Sequence, residues 1–564
     1  MRRLALAGAV ILTVAACSSR QESTPPKTAA PTAAGSPATP AAKGAIDPAS
    51  FATRLKKVSS DEFEGREPGS NGERLTTTWL KAEFEKIGLK PGNGDSFFQS
   101  VPTVSITLEN TDVTLDVAEG GGIEKFVRKT DMVVGNLSAK PEAAVKDSDI
   151  VFVGYGVDAP EQDWNDYAGL DVKGKTVIVL VNDPGWGNQD PNLFKGRTMT
   201  YYGRWTYKFE EAARQGAAAA FIVHDTEAAA YGWSVVDNSW SGAQFDLPAS
   251  EDPAPRLDVA GWLTTEAARR LFAKAGQDFD ALKKGADLHG FKPVPLAAKA
   301  SIAIRSVIKT GSSDNVIAYL PGSRHPDEYI VYTAHWDHLG RDLSLTGDQI
   351  YNGAVDNGTG VAGLLEIAEA FAKQDPPPAR SVVFAAVTLE ESGLLGSKYY
   401  AAHPPFPLSR TVADINMDAM YPIGRERNMA VVGYGQSELD GYLKEALAAQ
   451  GRVVTAEETP EKGHFYRSDH FNFAKKGVPA LYAKGGVDLV DGGEVAGREA
   501  MADYTRNRYH KPADEYRDDM KLDGIVEDLQ ALYAVGRQLA GSDAWPKWAP
   551  DSEFRAAREA AQKP

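Results

Sequence analysis

Glu328-Tyr-Ile-Val-Tyr-Thr-Ala-His335-Trp-Asp337-His338-Leu-Gly340 is followed, after a polar loop, by Asn352-Gly-Ala-Val-Asp356-Asn357-Gly358-Thr359-Gly360. The run Tyr329 to Ala334 is short, β-branched and aromatic, and it is closed by charge on one side and Gly340 on the other, which predicts a buried strand. A His and an Asp two residues apart stand at its C-terminal end. The second loop brings Asp356 to the start of a predicted helix whose apolar residues Val361, Leu364, Leu365, Ala368 and Phe371 fall on one face. Polar, metal-competent groups beyond the carboxyl ends of strands are where an open α/β sheet builds its site.

Downstream the same order repeats. Ser381 to Thr388 reads as a strand, Gly393 to Ala402 as a helix, and Thr411 to Asn416 and Met429 to Gly433 as further strands. A last amphipathic helix carries Ile525, Leu529, Leu532, Val535 and Leu539. Strand and helix in alternation predict an α/β domain with a mixed, largely parallel β-sheet sandwiched by helices. Upstream, Ser70-Asn71-Gly72-Glu73 is a capping-box pattern opening a helix with Leu75, Trp79, Leu80, Phe84 and Ile87 inward, stopped by Gly88 and Pro91. From about Val101 the period changes to short alternating segments, Val104 to Leu108 and Asp112 to Val117. Strands at Ile150 to Gly154, Gly174 to Val181 and Ala217 to Val223 follow, with a helix from Lys208 to Gly216 before the last.

The chain has 564 residues, which predicts two folded domains plus unstructured ends. Its formal charge of −16 argues against a nucleic-acid partner, which calls for a basic face. Arg2 and Arg3 precede an apolar run from Leu4 to Ala16, shorter than the roughly 20 residues of a bilayer span. The run ends in Val14-Ala15-Ala16-Cys17, which resembles a bacterial lipoprotein signal in which the Cys becomes the lipidated first residue. The alternative is a secretory peptide cleaved after Ala16. Cys17 is the only cysteine, so an intramolecular disulfide and a thiolate-rich metal site are both excluded. Residues 18–44 are rich in Ala, Pro, Thr and Ser, the composition of a flexible tether. Ser18 and Ser19 are compatible with outer-membrane sorting in a Gram-negative cell, so the expected location is the cell envelope.

Five loops after strands offer groups that bind metal: His335 with Asp337, Asp356, the pair Glu390-Glu391, Asp418, and His510. Each has a plain reading alone: a packed histidine, a helix N-cap at Asp356, a solvated charge pair at Glu390-Glu391, a turn cap at Asp418. Those readings would all have to hold independently while the groups gather at strand ends of one sheet. Two divalent ions about 3.5–4 Å apart can clamp a water and a scissile carbonyl, and they need a bridging carboxylate. Imidazole and carboxylate without thiolate suit zinc, with cobalt or manganese as substitutes. Tyr466-Arg467-Ser468-Asp469-His470 offers a second Asp-His pair, with His470 as rival for the last ligand. His338, His403 and His464 have no pattern that raises them above surface or supporting residues.

The motifs Ala334-His335-Trp-Asp337-His338, Gly353-Ala-Val-Asp356-Asn357-Gly-Thr-Gly360, Leu389-Glu390-Glu391-Ser-Gly393-Leu-Leu-Gly396-Ser, Asn416-Met-Asp418 and Tyr509-His510-Lys-Pro-Ala-Asp514 resemble, in order, those of the M28 family of co-catalytic zinc exopeptidases. The resemblance runs from about residue 45 to 540, counting an inserted block that resembles a protease-associated (PA) domain. It implies that Asp356 bridges two zinc ions, His335 and Asp418 completing one site, Glu391 and His510 the other. Glu390 would be the general base passing a proton from the attacking water to the leaving amine. Asp337 would accept from the ring N–H of His335, and Tyr509 would hydrogen-bond the developing oxyanion. His510 is preferred to His470 because an Asp follows it four residues on, as in the family's ligand motif; Asp469 and His470 resemble the wall of a substrate pocket.

The expected organisation is therefore a signal peptide at 1–16, a tether at 17–45, a discontinuous peptidase domain at 46–129 and 291–545, a smaller α+β insert at 130–290, and a C-terminal tail at 546–564 whose charged part after Asp551 is a solvated helix or disordered. The insert is scaffolding or a lid, with Thr200-Tyr-Tyr-Gly-Arg204-Trp205-Thr-Tyr207 suited to peptide contact or to packing. The implied function is an aminopeptidase acting on peptides. The alternatives are a carboxypeptidase, for which Lys484 offers a positive charge, and a non-catalytic receptor-like relative, from which the intact ligand set departs.

Overall fold

Strands buried on both faces call for long apolar runs, and those at the centre of this protein have them, with polar residues near their ends or bonded to one another, as Thr333 is to Asp414 and Asn416. Every residue of the strand Arg380–Val387 is buried. Alternate side chains go to opposite layers: Val382, Phe384 and Ala386 meet one helical layer, Val383, Ala385 and Val387 the other. The computed structural model describes residues 46–562, apart from positions 111 and 121. The expected lipidation site at Cys17, signal peptide and tether lie outside the described residues. Among the described residues, no helix is long and apolar enough to cross a membrane.

The main sheet runs in the order Gln244–Asp246, Phe98–Leu108, Val294–Leu320, Arg380–Val387, His325–His335, Thr411–Asn416, Ala480–Gly485, Asn428–Val432, Val453–Ala456. The four strands from Arg380–Val387 to Ala480–Gly485 are mutually parallel. Helices Pro48–Val58, Asn71–Ile87, Thr359–Ala372 and Asp523–Ala540 contribute to the core on one face. Tyr400, from the helix Leu395–Ala402, and Phe473, from His470–Lys475, contribute on the other. The predicted capping box forms at Asn71–Ile87: Ser70 Oγ accepts from Glu73 N, while the Glu73 carboxylate accepts from Gly69 N and reaches across to Asp314 N.

The helix Thr359–Ala372 departs from expectation in being buried nearly all round rather than on one face. Its Glu366 meets Arg54 of the first helix at 2.5 Å, and Arg54 also reaches Glu369 and Glu83. A charge network therefore closes the side that the apolar pattern had left to solvent.

A second sheet has the order Gly122–Val127, Thr114–Glu119, Val294–Leu320, Glu142–Phe152, Thr176–Leu180, Ala219–His224, Val259–Thr264, Met132–Gly135. Val294–Leu320 belongs to both sheets, its first half pairing with Glu142–Phe152 and its second with Phe98–Leu108. The hairpin 114–127 lies in this second sheet, upstream of the boundary at 130 drawn from sequence, because the shared strand has already left the main sheet there.

The C-terminal segment is packed rather than solvated. Trp548 and Phe554 are buried beside Phe465 and Phe471, and Trp548 Nε1 donates to Gly477 O. Buried Arg558, in the helix Arg555–Ala561, donates to the carbonyls of Leu408 and Thr411. The charged composition concealed these anchors.

Candidate active site

From the strand ending at His335 the chain crosses first to Arg380–Val387 on one side and then to Thr411–Asn416 on the other, so His335 stands where the strand order reverses. Ligand sites form at such switch points because the loops leave in opposite directions and open a crevice. Glu390 and Glu391 follow the first neighbour, Asp418 the second. Asp356 arrives on the turn before the helix Thr359–Ala372, and His510 follows the helix Gly493–Asn507.

These groups converge. Asp356 Oδ1 lies 3.3 Å from His335 Nε2, and Oδ2 lies 3.2 Å from His510 Nε2. His335 Nε2 is also 3.4 Å from Asp418 Oδ1 and 3.9 Å from Glu390 Oε2. His510 Nε2 is 3.2 Å from Glu391 Oε2. His335, Glu390 and Asp418 form one group able to hold a metal ion, and His338, Asp356 and Glu391 a second.

The loops are held by groups with no ligand role. Asp337, fully buried, accepts from the backbone N–H of Glu390 and of Glu391 at 3.1 and 3.3 Å. Its carboxylate is 3.8 Å from His335 Nδ1, while its own main-chain carbonyl is closer at 3.2 Å. The ring's short contact is thus with the backbone carbonyl, and the carboxylate is occupied by the Glu390-Glu391 turn. Asn357 takes the capping work once considered for Asp356: its Oδ1 accepts from Gly360 N and its Nδ2 donates to Met417 O, leaving the Asp356 carboxylate free for the site. Asp514 accepts from Val355 N, Asp356 N and the Tyr504 hydroxyl. Gly353, at φ +54°, passes so close to the His338 ring that a Cβ there would strike it.

Two contributors escaped the sequence reading. Arg66 is 1% exposed and donates to the carbonyls of Trp336, Val58, Asn352 and Gly353 at 2.5–3.0 Å, pinning the His335 loop to the Asp356 loop. His338 is buried with its Nδ1 2.7 Å from Glu391 Oε1, which leaves Oε2 for His510. Its place three residues after His335 was the one available signal.

Electrostatics follow from burial and crowding. Burial pushes Glu390 well above the usual carboxylate range, with neighbouring Asp418 and Glu391 adding to the rise. Burial also pushes Asp337 up to about 7. Burial and Asp356 push Glu391 upward too, but His510 and His338 outweigh them and hold it at about 2. Burial pulls His510 down, yet Glu391 and Asp356 outweigh it and raise the ring to about 10. The field at this place strongly favours positive charge. The donor set fits metal for the same reason: carboxylates outnumber imidazoles, among the described residues no Lys or Arg pairs with them, and buried His510 Nε2 lies at ion-pair distance from two carboxylates without a hydrogen-bond partner.

His470 and Asp469, expected at a pocket wall, lie in the core. Both are fully buried; His470 packs between Phe465 and Tyr482, and Asp469 Oδ1 accepts from Ser397 Oγ at 2.6 Å. The structure brings His510, not His470, to the donor cluster. Tyr509 is partly exposed and its ring stacks on His510 with centroids 3.9 Å apart.

Residues 315–533 match the sequence profile of peptidase family M28. The matched segment contains all the converging donors. Over 223 residues the chain is 36% identical to a probable zinc metalloprotease of Pyrenophora tritici-repentis, covering 39% of this chain and 45% of that one. It is 32% identical over 137 residues to aminopeptidase NAALADL1 of Mus musculus (23% and 17%) and 35% identical over 127 residues to a glutamate carboxypeptidase 2 homolog of Caenorhabditis elegans (22% and 15%). The matches thus span less than half the length of these curated relatives. Among solved structures, an aminopeptidase from Aneurinibacillus sp. strain AM-1 aligns at 19% identity and a TM-score of 0.49, covering 89% of this chain and 95% of that one.

Proposed function

We propose that the protein is a two-zinc exopeptidase, an aminopeptidase that removes N-terminal residues from peptides. The observation that supports it above all is Asp356, whose two oxygens face two different imidazoles, His335 and His510. The match of the M28 segment and the aminopeptidase title of one relative support the same reading.

His335, Asp418 and one Asp356 oxygen would hold the first ion; the other Asp356 oxygen, Glu391 and His510 would hold the second. Two such ions acidify a shared water and polarise the scissile carbonyl. Glu390, farther from His335 than Asp356 or Asp418, holds the proton: it takes it from the attacking water and returns it to the leaving amine. A carboxyl raised by burial is suited to both halves of that transfer. Asp337 fixes the turn that presents Glu390 and Glu391. Tyr509, whose ring stacks on His510, would donate to the developing oxyanion.

Metal content and reporter peptides test the reading together. The purified protein is expected to bind two zinc ions and to cut aminoacyl reporters but not N-blocked or carboxyl-terminal ones. A chelator should abolish cleavage, and zinc should restore it. His510→Ala is expected to lose one ion and His470→Ala none. Cleavage that survives complete demetallation, or loss of an ion only in His470→Ala, would overturn the assignment; release of C-terminal residues alone would make it a carboxypeptidase.

Residues 130–290 are proposed to be a PA-type insert. The lipoprotein signal supports a further proposal, that the mature protein is anchored through Cys17 in the envelope of a Gram-negative cell. Cys17→Ser should move it from the membrane to the soluble fraction, and an unchanged distribution would refute the anchor.

A further inference from the structure

Between Ala219–His224 and Val259–Thr264, neighbouring strands of the second sheet, the chain leaves that sheet and comes back. On the way Gln244–Asp246 pairs with Phe98–Leu108 at the edge of the main sheet, and the strap that follows, residues 247–256, is fastened to the helix Leu395–Ala402. Lys398 Nζ, from that helix, is 2.7 Å from Asp252 Oδ2 and 3.2 Å from Asp246 Oδ1. Arg256 holds the same two carboxylates from the strap's own end, at 3.3 and 3.1 Å. Leu247, fully buried, shares one closed apolar cluster with Val101, Leu389 and Leu395.

Leu389 immediately precedes the Glu390-Glu391 pair, and its φ is +56°. That is the left-handed region, which a leucine rarely enters because its Cβ crowds the backbone. Such a conformation persists only where the surroundings over-determine it. Here the backbone is tied on both sides: Thr388 N donates to Asn315 Oδ1, Thr388 O accepts from Gly396 N, and Leu389 O accepts from Leu395 N, each at 3.0 Å. The side chain is enclosed by the cluster that Leu247 completes. The dihedrals of Leu389 set the plane of the next peptide, whose N–H, that of Glu390, donates to Asp337. A return of Leu389 to negative φ would turn that N–H off Asp337 and carry the Glu390 side chain with it.

We propose that Leu247 is a positioning residue for the reaction: by closing the apolar cluster round the Leu389 side chain it keeps that residue left-handed, and so fixes the direction in which Glu390 enters the site. Asp337 ties the turn through its N–H groups, and Leu247 ties it through a side chain. The proposal rests on the exopeptidase reading, in which Glu390 carries the proton. It deepens that reading by giving the block 130–290, from which Leu247 comes, a task that is neither scaffolding nor lid: it braces the general base.

The test reads kcat, KM, zinc content and backbone hydrogen exchange in the full-length protein. Leu247→Ala is expected to lose about tenfold in kcat on an aminoacyl reporter, inside the roughly 10²-fold that a 1 Å misplacement can cost, with KM and zinc content unchanged. Leu247→Met, which keeps the volume, should recover most of the loss. Leu271→Ala opens a cavity in the core of the second sheet and controls for lost stability, so its kcat should hold. Exchange over residues 388–396 needs no turnover: the amides of Glu390 and Glu391 should exchange faster in Leu247→Ala and not in Leu271→Ala. A folded Leu247→Ala in which kcat or exchange is unchanged, or an equal loss in Leu271→Ala, would end the proposal. Should Leu247→Ala not fold, Lys398→Met, which cuts the latch and opens no cavity, is read in the same way. A wild-type protein that cleaves no reporter would instead sink the exopeptidase reading. The brace is then judged by exchange alone: faster exchange confined to Leu247→Ala supports it, and equal exchange overturns it.

Discussion

Turnover is expected to fall about 10²–10⁴-fold in Glu390→Gln, the range attributable to a positioned acid-base group, while the two proposed metal ions stay bound and KM changes little. Glutamine keeps the length and shape of glutamate but has no carboxylate to receive a proton. The backbone is not disturbed, because Glu390 is anchored through its N–H on Asp337, which the substitution leaves in place. Steady-state kinetics with zinc analysis on the same sample checks both halves. A variant at full rate would remove Glu390 from the proton path. A variant that had lost one ion would make it a ligand, which is a real rival because Glu390 gathers with His335 and Asp418.

Arg66→Ala is expected to cost about 3–5 kcal/mol of stability and to weaken metal retention with it. Four carbonyls lose their donors at once, and a buried acceptor left unsatisfied costs roughly 1–3 kcal/mol, part of which entering water repays. Those carbonyls lie in the first helix and in the two loops that present His335 and Asp356, so their relaxation separates the imidazole from the Asp356 carboxylate. Denaturant unfolding and zinc content measure the two effects. Arg66→Lys should recover little, since one ammonium offers three donors on a narrow head and cannot span partners on three segments. A loss below about 1 kcal/mol would show that water replaces the guanidinium.

What could be read from sequence divides along physical lines. The parallel strands were legible because burial on both faces favours apolar runs, as in residues 382–387 of the strand Arg380–Val387, and the groups just beyond them are the ones that converge. Asp356 was legible only jointly: alone it fits a helix cap, and the structure shows that Asn357 takes that work. Asp337 was singled out but expected to face the His335 ring, because nothing in a sequence advertises the backbone N–H groups it accepts from. Arg66 was invisible for the same reason, its partners being carbonyls up to 287 residues away. The tail from 546 misled through composition, where two aromatic residues outweighed its charge.

The strand Val294–Leu320 has a mechanical consequence. Because one continuous ribbon is stitched into both sheets, the insert is cantilevered from the catalytic body like a bracket cast in one piece with its wall, and swinging it as a hinged door would mean tearing a ladder of hydrogen bonds. Met199 and Tyr231 of the insert are thereby held at a set distance from the segment 460–467, and the entropy of bringing a mobile lid into position is not charged to each binding event.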